Sequence, residues 1–403
     1  MVSGSVGERI AAYRRRRGLS QAALAALVGR SESWLSQVER GIRAVDRLSV
    51  LLDLAKVLQV DAEALTGQPW QYAPSASALV DGLDDVRRFF SRYDGLLGVM
   101  SDDPVDVIDV RQRIVAAHRG YQAAEYERVI QDLPSLLSLA DPLRSSGSGD
   151  LRQEALASYV NAYAIAAKLL TKMGAADLAL LSADRAASAA VDAESIGARG
   201  MAAYQVVCAL LRADRVEDAE RLALHMAEVV QREARPEEPA VISVAGALWL
   251  ISAVIAGRRT DRGEAWRRLD EAEVLASMLG QDGNFAWTAF GPTNVAIHRV
   301  SVAAELGDPA EALRAADAVD PDQLPAGLKS RRAQVHLDLA WAHAQRKRDA
   351  DALLHLMEAE RTAPEMVRYN VMARELVREM LARQKKSKTS ALHRLAVRAG
   401  VLD

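Results

Sequence analysis

With 403 residues the chain is long enough for two or more domains and a sizeable core. Half of it is apolar but only 5% is aromatic, and its alanine-rich tracts suit closely packed helices. A formal charge of −3 excludes a chain that coats nucleic acid along its whole length, and the single cysteine, Cys208, excludes an intramolecular disulfide or an all-cysteine metal site.

The charge is unevenly spread. Residues 1–67 carry ten Lys/Arg against seven Asp/Glu, a net +3, which leaves −6 for the rest. A mildly basic head on an acidic body suits a DNA-binding domain joined to a sensor or interaction domain. MVSGSVGERI at the start has no apolar signal-peptide core, so a cytoplasmic location is expected.

Almost every segment has helical periodicity, and none sustains strand-like alternation. The head, residues 1–66, is expected to hold five short helices at about 7–17, 20–28, 31–40, 47–58 and 61–65. In RSESWLSQVERG (30–41), Leu35 and Val38 form one thin apolar stripe, Ser31 stands as N-cap and Gly41 ends the helix in the left-handed region. The outward face carries Glu32, Ser33, Trp34, Ser36, Gln37 and Arg40. TGQPWQYAPSASA supplies a linker over 67–78, and a helix follows near 77–98.

The body, 79–403, is expected to be a helical repeat. Four segments align on an acidic residue followed by alanine: Asp218–Ala219, Glu264–Ala265, Glu311–Ala312 and Asp351–Ala352, with a weaker member at Leu178. A helix pair every 40-odd residues is the signature of an α-solenoid, here tetratricopeptide-like although the strict consensus is missing. The apolar tract EPAVISVAGALWLISAVIAG (238–257) has the composition of a membrane span, but it fits the repeat and lies between charged helices of matching length. It is therefore expected to be a core helix, and no membrane partner is expected.

Motifs for nucleotide, zinc-protease or serine-hydrolase chemistry are absent, so no enzyme activity, catalytic residue, metal or cofactor is expected. His336, His343 and His355 are spaced for two neighbouring helices, but lone helical histidines are commonly core or surface groups. SSGSGD (145–150) has no lysine after it and is expected to be a turn, and Cys208 in YQVVCALL to be a small buried hydrophobe.

GLSQAALAALVGRSESWLSQVERGIR resembles the helix-turn-helix of phage-repressor-like (xenobiotic response element) regulators. Gly18, Leu19, Ser20 and Gln21 open the second helix, Leu24, Ala25 and Val28 face inward, and Gly29 makes the turn. The resemblance implies a head that reads double-stranded DNA. It puts Glu32, Ser33 and Gln37 at base-reading positions, with Gln37 suited to adenine and Glu32 to a cytosine amino group. Ser31 and Ser36 complete the DNA-facing set. Gln21 would hold a phosphate and Arg40 and Arg43 would clamp the backbone, while Trp34 packs on sugar, on a thymine methyl or on its own domain. The resemblance also pairs Arg14 with Glu39 inside the head and leaves Arg15 to Arg17 to attract phosphate. A homodimer on a palindromic operator is expected, because two half-sites multiply a weak single contact.

The layout of head and repeat resembles that of quorum-sensing regulators controlled by short peptides. It implies a concave surface lined by the first helices of the repeats. Asn161, Gln205, Asn294, Gln334 and Asn370 there would bond the backbone of a short peptide or a small-molecule effector. GQDGNFAWTAFGPTN gathers Phe285, Trp287 and Phe290, and its loop resembles one in large helix-turn-helix regulators of antibiotic production and development in filamentous bacteria. Trp287 and Phe290 are expected to wall the ligand site or, alternatively, to plug a gap in the solenoid. The basic C-terminal helices are expected to cap the last repeat and support dimerisation. An alternative reading makes the chain an adaptor, whose repeat binds a partner protein that the head places on DNA.

Overall fold

A computed structural model describes residues 5–16, 19–43, 45, 48–58, 60, 65, 82–93, 106–320, 323–383 and 390–402. All the regular structure described is helical: the protein has a helix-turn-helix head and a helical-repeat body. The chain divides into two compact units, 1–75 and 76–403. The linker expected at 67–78, and nearly all of the fifth head helix, lie outside the described residues.

The head contains α1 (Val6–Arg16), α2 (Gln21–Leu27), α3 (Glu32–Glu39) and α4 (Leu48–Leu58). Ser20 and Ser31 cap α2 and α3 by accepting from the Ala23 and Trp34 amides at 3.0 and 3.2 Å. Gly29 (φ 63°) and Gly41 (φ 72°) take the left-handed backbone that ends α2 and α3. Ile10, Leu24, Ala25, Leu35, Val38 and Leu54 form the core. Ala25 is 1% exposed, and its small side chain lets α2 and α3 pack closely.

The body begins with α5 (Leu83–Phe90), the described part of the helix expected near 77–98. Six helix pairs follow among the described residues: α6 (Val107–Gln122) with α7 (Tyr126–Ala140), α8 (Gly149–Met173) with α9 (Ala176–Asp192), and α10 (Ile196–Arg212) with α11 (Val216–Glu233). The others are α12 (Pro239–Arg258) with α13 (Arg262–Leu279), α14 (Pro292–Glu305) with α15 (Pro309–Ala316), and α16 (Lys329–Gln345) with α17 (Asp349–Thr362).

One turn recurs inside all six pairs. Ala124, Gly174, Asp214, Thr260, Gly307 and Lys347 have φ between 59° and 82°, each two residues before its second helix. The next amide in each case (Glu125, Ala175, Arg215, Asp261, Asp308, Arg348) donates at 2.9 Å to a carbonyl five residues back, which satisfies an orphan group of the first helix. From the second pair on, the fourth residue of the second helix is alanine: Ala179, Ala219, Ala265, Ala312 and Ala352, each fully buried. These are the expected anchors, except that the weak member is Ala179 and not Leu178.

The first helices stack in order, α6 on α8, then α10, α12, α14 and α16, and α16 returns to touch α6. The apolar helix α12 is buried at the centre of one core cluster, packed on α11, α13 and α14. Beyond α17 come α18 (Pro364–Tyr369), α19 (Val371–Arg383) and α20 (Ser390–Arg398). Here α18 fastens to the start of α7. Glu365 accepts from the Glu127 amide at 2.9 Å, while the Glu127 carboxylate accepts from Arg368 at 2.8 Å and the Tyr369 hydroxyl at 2.7 Å. The last helices of the body are thereby joined back to its first pair.

Candidate functional site

In the head the polar face of α3 is open. Glu32, Ser33 and Arg40 are exposed, as are Ser31 before the helix and Arg43 after it; Ser36 and Gln37 are half-buried. The buried side of the same helix is Leu35, Val38 and Glu39. Trp34 divides its surface: one side packs against the core, and the Arg30 guanidinium lies 5.8 Å from its ring centre. Arg40 folds back on the Ser36 carbonyl at 3.2 Å. Among the arginines expected to attract phosphate, Arg15 is exposed; Arg17 and the Arg16 side chain lie outside the described residues.

Glu39 holds the three helices together. Arg14 grips it with two hydrogen bonds of 2.6 and 2.8 Å and also donates to the Leu19 carbonyl at 2.8 Å. Gln21 Nε2 donates to the same carboxylate at 2.7 Å, so the side-chain amide expected on a phosphate is turned inward. Burial pushes the Glu39 carboxyl up, but the Arg14 and Gln21 hydrogen bonds and the Arg14 charge outweigh it and leave the group below its ordinary value.

In the body, a cavity of about 350 Å³ opens among the first helices. Of the expected residues, Gln205, Trp287, Gln334 and Asn370 line it, and Asn161, Phe290 and Asn294 do not. Asn161 donates to its own helix at the Ala157 carbonyl, 2.8 Å away. Asn294 is buried in α14. Phe290 is fully buried in the core, its ring tip 2.0 Å from where a Cβ on Gly246 would stand, so it fills space left by the missing side chain instead of walling a ligand.

The amides that do line the cavity already have partners. Gln205 donates to the Met201 sulfur at 3.2 Å, Gln334 donates to Asp338 at 2.8 Å, and Asn370 accepts from the Ala373 amide at 3.0 Å. Several lining residues were not anticipated: Tyr121, Tyr126, Lys168, Lys172, Tyr204 and Arg331. Lys168 and Lys172 lie four apart on the half of α8 that is otherwise apolar, which places them on one face but does not by itself name a cavity. Cys208 also lines the cavity, half-buried, and burial pushes its thiol up to about 11.

The loop between α13 and α14 reaches from the fourth pair to the first. Trp287 stacks on His118 of α6, with ring centres 4.7 Å apart and planes 4° from parallel. Its carbonyl accepts from Lys168 at 2.9 Å, and Gln122 and Asn284 form a reciprocal amide pair at 2.7 and 2.8 Å. Burial, then the Lys168 charge, holds His118 well below the ordinary histidine value, so the ring under Trp287 is neutral. Ala286, Trp287 and Ala289 all have positive φ, a conformation the cross-body contacts must sustain. Elsewhere His336, His343 and His355 stack on one another, with the His336 and His355 Nδ1 atoms 3.1 Å apart. The described residues hold no cluster of His, Cys, Asp and Glu arranged for a metal ion.

Residues 5–66 match a family model described as a helix-turn-helix domain. The match covers the head and nothing beyond it. No curated protein matches the chain. A similar solved structure is the crystal structure of Bacillus thuringiensis PlcR in complex with the peptide PapR7 and DNA, at 12% identity and a TM-score of 0.34. That superposition spans 88% of this chain and 99% of the other.

Proposed function

We propose that the protein is a sequence-specific, DNA-binding transcription regulator whose helical body receives an effector. The observation that carries this reading is the face of α3, where Ser33, Gln37 and Arg40 stand outward on a helix whose other side is locked by Leu35, Val38 and Glu39. A helix fixed in this way presents hydrogen-bonding groups to a major groove with little conformational freedom left to lose. Glu32, at its N-terminal end, favours a base pair whose cytosine amino group can donate to it.

The head is small, so tight operator binding calls for two heads, and we propose a homodimer on a palindromic site acting in the cytoplasm. The body is an interaction and sensing module with tetratricopeptide-like pairs, and it is not an enzyme. Footprinting with the full-length protein tests the head. Protection of a two-fold symmetric site is expected, with protection weakened by Gln37→Ala at matched salt. A uniform ladder with no protected site, unchanged in the variant, would remove the reading.

A further inference from the structure

The lining of the body cavity is chemically one-sided. Lys168, Lys172, Arg212 and Arg331 contribute to it, and no aspartate or glutamate does. None of these four cations makes an ion pair among the described residues. The acids around it are engaged: Glu127 accepts from Arg368 and the lining Tyr369, and in an adjoining cavity Glu305 pairs with Arg258 at 3.0 Å, while Asp338 accepts from Ser301 and Gln334 and acts on Lys172 and Arg331 only through space. Residues 68–403 are net negative, so this accumulation of positive charge runs against the sign of the body that holds it; Lys168, Lys172 and Arg331 are half-buried and Arg212 is exposed.

Burying unpaired cations is costly unless a counter-charge is supplied. Here that cost shows: burial lowers both Lys168 and Lys172 to about 8. A second observation points to the same volume. Two residues of the lining, Tyr126 and Thr171, carry hydroxyls that are buried beside the cavity and have no hydrogen-bond partner among the described residues. Tyr121, Tyr204, Met201, Leu328 and Met366 supply apolar and aromatic walls between the charged groups.

We propose that this cavity is the effector site, and that it takes a carboxylate carried on an apolar or aromatic body. The proposal rests on the reading of the body as the sensor of a regulator and names the chemistry that sensor recognises. Lys172 and Arg331 pair with the carboxylate, and the tyrosine and methionine walls cover the rest. A cavity of about 350 Å³ admits a small molecule or a short peptide end and excludes a folded macromolecule. A phosphate group fits less well, because no glycine lines the cavity and it offers no glycine-rich backbone cradle. The carboxylate has two sources, the free C-terminus of a short peptide or an organic acid.

The test is calorimetric titration of the full-length protein at neutral pH. In one arm the tripeptide Ala-Leu-Phe is compared with its C-terminal amide; in the other, 3-phenylpropionate with 3-phenylpropionamide. At least one acid is expected to bind about tenfold or more tightly than its own amide, and the arm in which it does so identifies the source. Lys172→Met is expected to remove that preference, and Lys172→Arg to keep most of it. If Lys172→Met does not fold, Arg331→Met and the acid–amide comparison on the wild type decide the matter. Equal binding of acid and amide in both arms, no saturation by either acid, or stronger binding of adenosine monophosphate would overturn the assignment. Binding of duplex DNA by the wild type without any acid reports on the regulator reading alone, so the two failures are distinguishable.

Discussion

Glu39 is the residue on which the geometry of the head converges, since α1 and the start of α2 both reach it and it lies on α3 itself. Glu39→Ala leaves the Arg14 guanidinium, 13% exposed, without its partner and is expected to cost the head about 3 kcal/mol. Hydrogen exchange in the full-length protein checks this: peptides containing Leu24 and Leu35 should lose protection while body peptides keep theirs. The sign of the pH effect follows from the lowered carboxyl. The contribution of Glu39 is fully present above the unfolded value, near 4.3, and is lost as pH falls through that value toward the lower folded one. Acid should therefore open the head in the wild type, and the corresponding fall in protection should be smaller in Glu39→Gln. The Arg14–Glu39 pair was legible because the helix-turn-helix resemblance names both ends. The inward turn of Gln21 was not, because a glutamine at a helix start can serve a phosphate or a carboxylate. A glutamate eighteen residues away decides between them.

At the scale of elements, the repeat was visible through its buried alanines but its turns were hidden. Only two of the six left-handed positions are glycine; the others are Ala124, Asp214, Thr260 and Lys347. A turn made by a lysine or threonine carries no local signal; the first pair, α6 and α7, escaped the alignment because the fourth residue of α7 is Val129 and not alanine, and the second pair aligned weakly because Leu178 stands where the others have an acid. The same fact yields a prediction. Lys347 is exposed and pays the left-handed penalty of a side chain, so Lys347→Gly should stabilise the body by about 0.5–1 kcal/mol, seen as a higher denaturation midpoint. Packing yields another. A Cβ at position 246 would enter the Phe290 ring, so Gly246→Ala should destabilise the body by about 1–3 kcal/mol. Adding Phe290→Leu should recover part of the loss, and a double-mutant cycle measures the coupling. Equal and additive losses would show that the ring does not depend on the gap at Gly246. The cationic lining of the cavity was least legible. Its members come from helices far apart in sequence, and α18 brings Tyr369 and Asn370 to the site only by fastening on Glu127.

The molecule as a whole joins a basic helix-turn-helix head to an acidic body with a cationic cavity. The split of +3 and −6 between the two parts confines the attraction for phosphate to the head. Two kinds of head residue should then behave differently. If Arg40 clamps the backbone as proposed, removing it should weaken binding to all sequences alike and lower the salt dependence by about one phosphate contact, whereas removing Gln37 should change which sequence is preferred. The central claim is tested most directly by selecting bound duplexes from a random library with the full-length protein, at one fixed salt concentration, for the wild type and Gln37→Ala. The account predicts an enriched, two-fold symmetric motif whose preference at one base pair per half-site falls by about 1–3 kcal/mol in the variant. A library that emerges without an enriched motif, or the same motif with the same preferences from both proteins, would contradict it.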